Sequence, residues 1–571
     1  MQSSISENKE NPENVPSAPG LDAKNEPGQT PWEPHAETVA VLSKPVWILL
    51  LVFSLALLMD RILFYRQPGA QWTIFVNGLL AVIFISAALE RKRIPYTSVL
   101  LALMVSAAAD LTAFRLEAFT VTALVLFSIL GTVLLAVSLL NGQGFVYRLR
   151  EYAGQGLRLV ASVLVGLPAG LIQSSQQAKQ QNAVDSGSRR RSGAVLRGIL
   201  IALPLVALLG LLLASADAVF SSRFSALWDW IKIEKPEEFI FRLMFMLALT
   251  YALFGLVWHA LTKTGEKLAL EPDQGLVKPF LGMTESAIIL GALNALFAAF
   301  VLVQVKYFFA GAQNINVEGF TYAEYARRGF FELVVAAIIT LLVHYGLASL
   351  TRRDDRGRKA LFSILASLLL LQTGVILFSA FQRLSLYEAA YGFTQARLTA
   401  HVFMAFLGGV LALSIIMEIT RSYKRLAVSL LLVLLAFGLT LSFLNVDRTI
   451  ARQNLQHAQA GSELDLAYLA GSGLSEDGTP ELFAAFDDPA LSPELKDSLG
   501  LVLSCRAARF EQNGPDSAFW ASWHASRAAA GRLYLSRAED LAEYPLQSFT
   551  EGKGFLVEGS PFICAYTETM P

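Results

Sequence analysis

The chain has 571 residues, of which 54 % are apolar and 16 % charged; soluble proteins carry about 25 % charged residues, so a string of water-soluble domains is excluded. Charge is also segregated: residues 1–43 sum to −5 and residues 446–571 to −9, leaving +13 for residues 44–445 out of a total of −1. A basic apolar middle between two acidic ends is the pattern of a membrane core with two soluble appendages.

The first segment, residues 1–43, is rich in Pro, Asn, Ser and Glu. It holds too little apolar surface to offset the entropy of ordering and is expected to be a disordered acidic tail. It opens without the basic residues and short apolar run of a signal peptide. Apolar stretches near 45–64, 72–89, 95–113, 118–140, 195–215, 238–261, 284–308, 329–350, 359–381, 398–419 and 426–445 then approach the roughly 20 residues that a spanning helix needs. The predicted fold class is therefore all-α: a polytopic helical membrane bundle of about 11 spans over 44–445, followed by a small, mainly α-helical soluble domain over 446–571.

One further stretch, 157–172, is short, contains Arg158 and Pro168, and is flanked by Gly154, Gly156 and Gly170. It is expected to be interfacial or re-entrant. Charge bias supports leaving it out of the count. With the N-terminus cytoplasmic and eleven spans, the inner loops collect 21 basic residues against 11 on the outer side. Counting 157–172 as a span would put every later basic loop outside. The expected location is the bacterial cytoplasmic (plasma) membrane, N-terminus in and C-terminus extracytoplasmic, with the lipid bilayer as first partner.

On the outer side two loops share a pattern. Gly319-Phe320-Thr321-Tyr322-Ala323 and Gly392-Phe393-Thr394-Gln395-Ala396 each precede an inward-running helix. Residues 284–350 and 359–419 therefore read as two copies of one helical hairpin. Thr321 with Glu324 fits a capping box, and Thr394 is placed to cap its own helix. Around these caps lie Tyr325, Arg328 and Glu332 at helical spacing, then Arg383, Tyr387 and Tyr391, and then Arg397 and His401. Glu332 is expected about one turn inside its span, paired with Arg328. Such a mouth is a candidate site for an anionic or carbohydrate ligand, or a docking surface; the bland alternative is a belt of interfacial tyrosines with helix-pinning ion pairs. Asp60 and Asp110 sit near outer span ends within reach of Arg61 and Arg115.

The acidic domain offers two similar helix starts, Thr479-Pro480-Glu481 and Ser492-Pro493-Glu494, each with a hydroxyl cap and a Pro in the first turn. The tail after Tyr544 has no assignable element. Cys505 and Cys564 are the only cysteines, and an even pair in an oxidising compartment points to a disulfide or, failing that, to two unpaired core residues. The chain contains no phosphate loop, no H-E-x-x-H and no G-x-S-x-G. Its six histidines are scattered, so no metal, cofactor or nucleic-acid partner is expected.

Three stretches carry a resemblance: Thr321-Tyr-Ala-Glu-Tyr-Ala-Arg-Arg-Gly-Phe-Phe-Glu332, Arg383-Leu-Ser-Leu-Tyr-Glu-Ala-Ala-Tyr-Gly-Phe-Thr394 and Asn445-Val-Asp-Arg-Thr-Ile-Ala-Arg-Gln-Asn454. They resemble bacterial multi-pass membrane proteins catalogued as domain of unknown function 4173, related to number 4153. The resemblance implies a bacterial inner-membrane protein and no activity. The leading expectation is a non-enzymatic envelope protein, sensing or scaffolding through its outer face, with an envelope protein or an anionic ligand as partner. A transporter with its site between the hairpin copies, and a transferase acting on a lipid-linked substrate with Asp60 or Glu332 as base, are the alternatives.

Overall fold

A computed structural model of the chain describes residues 42–63, 69–142, 149–181, 236–263, 279–310, 330–353, 355–423, 426–512, 520–557 and 559–566, with four single positions between 202 and 213. Among the described residues, nine helices are long and apolar enough to cross a membrane. They are α1 (Pro45–Leu63), α2 (Gln71–Leu89), α4 (Ala118–Ser138), α6 (Pro236–Thr262), α7 (Met283–Ala310), α8 (Phe330–Leu350), α9 (Arg356–Tyr391), α10 (Gln395–Thr420) and α11 (Leu426–Leu444). Between α2 and α4 runs α3 (Tyr96–Leu111), apolar but of 16 residues. The chain is an integral, multi-pass membrane protein. Residues 1–41 of the predicted tail and, apart from those four positions, the stretch 195–215 lie outside the described residues.

Two cores hold the bundle. Helices α1 to α6 share one, in which Ile48, Val52, Ile83, Val105, Leu124, Phe127 and Phe254 are fully or nearly fully buried. The other is built by α7 to α10 around Phe362, Leu369, Leu370 and Leu384. There α9 packs against α7, α8 and α10 alike, so the two predicted hairpins are not laid out as equal copies. Helix α11 lies between the cores, touching α4 on one side and α10 on the other.

The stretch 157–172 belongs to α5 (Leu149–Gln181), a helix of 33 residues that contains Pro168. It is twice the expected length, because its glycines do not end the helix; two of them, Gly166 and Gly170, let it approach α6. A Cβ on Gly166 would lie 3.0 Å from the Gly255 Cα, and one on Gly170 would lie 3.0 Å from the Phe254 and Trp258 rings. Small residues at such a crossing are what let two membrane helices come close. The contact is with the half of α6 remote from Arg242: Ser162 meets His259 at 2.8 Å, and Tyr251 donates to the Leu164 carbonyl. Leu157, Val160, Leu164, Val165 and Ile172 form an exposed apolar stripe along α5.

Ladder order can be read from contacts at the helix ends. The backbone N–H groups of Ser43 and Lys44 donate to the Glu90 carboxylate, so the starts of α1 and α3 share one end. At the other end Asp60 of α1 grips Arg242 of α6 in a bidentate pair (2.9 and 2.6 Å). The start of α6 therefore lies at the end of the bundle opposite the last residue of α4.

After α11 the chain turns at Asn445, which has φ of +48° and whose side chain accepts from Arg448 N–H. It then forms α12 (Val446–Gln459), α13 (Leu466–Ala470), α14 (Thr479–Phe486), α15 (Pro493–Gln512), α16 (Ala525–Ser536) and α17 (Ala538–Ala542). Ile450, Leu482, Phe483, Leu499, Val502 and Leu503 fill its core. Ser492 caps α15 through Leu495 N–H (3.4 Å). Thr479 instead starts α14 with its hydroxyl turned to Glu476 (2.6 Å).

The unassigned tail is a three-stranded antiparallel sheet, β1 (Gln547–Phe549), β2 (Gly552–Val557) and β3 (Ser560–Tyr566), in the order β1-β2-β3. Its strands are short, and Gly552 and Gly554 interrupt any alternation that would have marked them. Gly554 leaves no room for a side chain against the Phe562 carbonyl. Cys505 of α15 and Cys564 of β3 are disulfide-bonded, with Cα atoms 5.1 Å apart and a sequence separation of 59.

Gly255 is the position where this packing is least forgiving, since a side chain there would strike the Val163 backbone. Gly255→Leu should lower stability by roughly 1–3 kcal/mol, read as earlier thermal unfolding in detergent. Gly291→Leu, at a site with nothing within 4 Å, should leave the unfolding temperature nearly unchanged.

Candidate functional site

Helix α9 must stop and α10 begin within three residues. Gly392 makes the stop: its φ is +74°, a conformation favoured by glycine, and a Cβ there would sit 2.9 Å from the Asn454 Oδ1. The next backbone unit is held from the C-terminal domain. Phe393 N–H donates to Asn454 Oδ1 (2.7 Å) while Asn454 Nδ2 donates to the Phe393 carbonyl (2.9 Å).

Thr394 occupies the N-cap position of α10, but its hydroxyl makes no capping hydrogen bond. The predicted cap is corrected accordingly. Gln395 N–H, one of the free donors of the first turn, is met by the Tyr468 hydroxyl at 2.9 Å. The Gln395 amide in turn donates to Asp447 Oδ1 (2.7 Å), whose other oxygen accepts from Ser475 N–H (2.8 Å). The helix start is thus capped by side chains more than 50 residues away.

Five of the predicted mouth residues gather just inside this turn. The Arg397 guanidinium lies 4.2 Å from the Tyr387 ring centroid, a cation–π contact, and donates to the carbonyls of Tyr391 (3.1 Å) and Gly392. Tyr387 and Tyr391 lie with ring centroids 5.0 Å apart. His401 Nδ1 is 2.9 Å from Glu388, its Nε2 is 3.1 Å from the Ser385 hydroxyl, and the Phe381 ring packs edge-on to it. Arg383 donates to Gln304 Oε1 (3.2 Å), which also accepts from Ser379 (3.0 Å).

Glu332 sits in the first turn of α8 and is exposed. Thr321, Glu324, Tyr325 and Arg328 lie outside the described residues, so the Arg328 partner and the first capping box are not described. What the structure brings together here is a set of helix-pinning contacts, in which Arg397 finishes α9 and His401 ties α10 to it.

A second loop is held by the same domain. Leu116 N–H, between α3 and α4, donates to Asp477 (2.8 Å). Ser526 donates to the Phe114 carbonyl (2.8 Å), Ala525 N–H to the Ala113 carbonyl (3.0 Å), and His524 Nε2 lies 3.2 Å from the Arg115 carbonyl. Ala70 N–H, beyond α1, donates to the Trp523 carbonyl (3.0 Å). Arg115 is used on the bundle itself, donating to the Ser442 carbonyl (2.7 Å). Asp110 takes Asn77 as its partner at 2.7 Å, and Asp60 takes Arg242; neither expected pairing, with Arg115 or with Arg61, is the one formed. Local sequence proximity gave way to helix-to-helix contact in both cases.

Burial dominates the electrostatics of the seam. Asp447 has no exposed surface, and desolvation pushes its carboxyl up to about 6 despite the hydrogen bonds that favour the charged form. Burial likewise holds the His524 imidazole below its ordinary value.

At the opposite end of α10 is a cluster the sequence reading missed. Glu418, fully buried, accepts from Arg353 (3.0 Å), Ser363 (2.7 Å) and the Tyr423 hydroxyl, and Tyr423 meets His344 at 3.1 Å. Its only signal was a single carboxylate inside the stretch 398–419. Among the described residues no group of three or more His, Cys, Asp or Glu is placed to hold a metal ion.

The family model described as domain of unknown function DUF4153 matches residues 41–485. That is more than three quarters of the chain, which belongs to this family. The family that the sequence motifs resemble, number 4173, is not the one that matches; the match is to its relative, number 4153. The match includes Asn454, Tyr468, Asp447 and Asp477 and ends within α14. No curated protein and no solved structure matches the chain.

The Asp447 carboxyl makes the seam pH-sensitive with a definite sign. Its folded-state value lies above the ordinary 3.8, so the folded chain holds an extra proton between about pH 4 and 6. Its contribution is fully present below that window and is lost as pH rises through about 6, by at most about 3 kcal/mol. The difference in unfolding temperature between wild type and Asp447→Asn in detergent should therefore change across pH 4–6 and be flat above pH 7.

Proposed function

We propose that the protein is a non-enzymatic sensor of the bacterial cell envelope, multi-pass in the cytoplasmic membrane, whose extracytoplasmic C-terminal domain reports to the bundle. One observation carries this reading. The domain grips two separate bundle loops, the α9–α10 turn through Asn454, Asp447 and Tyr468 and the α3–α4 loop through Asp477, Ser526 and His524. A displacement of the domain reaches α4 and α10 at once.

Orientation is supported by the distribution of charge. Arg91, Lys92, Arg93, Arg352, Arg356, Arg358 and Lys359 all lie at the end remote from the domain, as the positive-inside bias requires of a cytoplasmic face. The Cys505–Cys564 disulfide fits an oxidising compartment on the domain side. Against a transferase, Asp60 is held bidentate by Arg242 and is ill suited to act as a base. Against a carrier, Arg397 and His401 are engaged with neighbouring groups at the mouth.

Two measurements test the reading. Ser492→Cys, at an exposed position of the domain, should be labelled by a membrane-impermeant maleimide in intact cells; labelling only after lysis would reverse the orientation. Asn454→Ala removes both bonds to Phe393, each worth about 1 kcal/mol. Amide exchange at Phe393 and Gln395 should then accelerate by roughly tenfold or more. Unchanged exchange would mean that the domain does not hold the turn, and the sensing proposal would fail.

A further inference from the structure

The C-terminal domain contains a cleft of about 430 Å³ that the seam contacts do not fill. One wall is the turn Ala470–Glu476, the other is α15 with Arg506, Arg509 and Phe510, and α16 adds Arg527. Leu116 of the α3–α4 loop closes one side, so the cleft lies where the domain meets the bundle.

Its charge runs against that of its surroundings. Residues 446–571 carry nine basic and eighteen acidic side chains, yet the cleft is lined by three arginines and one carboxylate, Glu476. That carboxylate is already engaged, accepting from Thr479 (2.6 Å), Tyr534 (2.9 Å) and Arg506 (3.2 Å).

Two of the three arginines have duties within the domain. Arg506 is 3 % exposed and knits the turn together, donating to the carbonyls of Leu469, Leu474 and Ser475 at 2.8–3.0 Å. Its Nε is buried and has no hydrogen-bond partner among the described residues, which is costly for a charged donor. Arg509 spends one nitrogen on the Ala470 carbonyl (3.0 Å), and burial beside the Arg506 charge makes its own charge harder to hold. Like charges gathered in a partly closed space are stabilised by an anion between them. The Phe510 ring and Leu116 supply an apolar flank.

We infer that this cleft is a binding site for a small organic oxyanion, a phosphate- or carboxylate-bearing molecule, contacted by Arg509 and Arg527 and seated against Phe510. The inference rests on the sensing reading only for its consequence: an occupant would sit between the domain and the α3–α4 loop. Such a group can arrive free in solution or as the headgroup of an anionic lipid, since the cleft adjoins the bundle.

The test uses the full chain at constant ionic strength, with thermal unfolding as readout. The probes are inorganic phosphate, glycerol 3-phosphate and citrate in neutral detergent, and nanodiscs of phosphatidylglycerol compared with phosphatidylcholine. A saturable rise of a few degrees with at least one probe, lost in Arg527→Gln and retained in Arg527→Lys, is the expected result. Response to the soluble probes assigns the free anion, and response to phosphatidylglycerol alone assigns the lipid headgroup. No saturable shift with any probe, or an equal shift in Arg527→Gln, overturns the site. Should Arg527→Gln unfold on its own, Arg509→Lys against Arg509→Gln gives the same comparison. Amide exchange at Leu116 and Phe393 separates the two proposals. A shift without altered exchange keeps the anion site and removes its role in sensing, whereas altered exchange with the shift supports both.

Discussion

A membrane helix that ends must do something with its last carbonyls, and one that begins must do something with its first N–H groups. Where α9 hands over to α10 only three residues are available, and at a bilayer surface water cannot be relied on to reach them. The solution is to bring partners from a distance. Arg397 supplies donors for the last carbonyls of α9, Asn454 binds the Phe393 peptide on both sides, and Tyr468 accepts the first N–H of α10. Two of these three partners belong to the polypeptide beyond the last span. The bundle is therefore not finished until the C-terminal domain is seated on it, and the fully buried Asp447 is the sign of how dry the joint is.

How much of this could be read from the residues depends on distance along the chain. Apolar length alone located the nine long helices, and four-residue spacing put Tyr387 beside Tyr391, whose rings meet; Arg397 and His401, also four apart, take different partners. Partners were another matter. Thr394 had the residue type and place of a cap, yet the hydroxyl that serves Gln395 comes from Tyr468, 73 residues on. Asp60 had Arg61 as its neighbour, yet it is Arg242 that faces it, because a buried carboxylate is served by whichever helix packs against it. Gly170 of α5 read as an end when it is a contact point against Phe254 and Trp258, since sequence does not say whether a missing side chain frees the backbone or admits a neighbour. The sheet of the tail stayed hidden because its strands are short and its glycines mask their periodicity.

Helix α10 is fixed at both ends by polar contacts of opposite character. At the domain end Gln395 reaches out of the bundle to Asp447; at the other, Glu418 is enclosed by Arg353, Ser363 and Tyr423 from neighbouring segments. Between them runs an apolar length of helix packed on α9. A rigid rod with a specific grip at each end transmits a push better than a helix that merely lies among others. Burying Glu418 with its partners also specifies one register for α10, since sliding the helix by a turn would strand a charge.

The joint at Asn445 has a mechanical meaning. One residue in the left-handed conformation separates α11 from α12, and its own side chain holds the turn to Arg448. There is no slack between the last span and the domain, so the domain behaves as a crank fixed to a shaft. A small roll of α11 in the bilayer would sweep Asn454 and Tyr468 through a larger arc than the roll itself. Any tilt of this one helix is therefore carried to the grip on the α9–α10 turn.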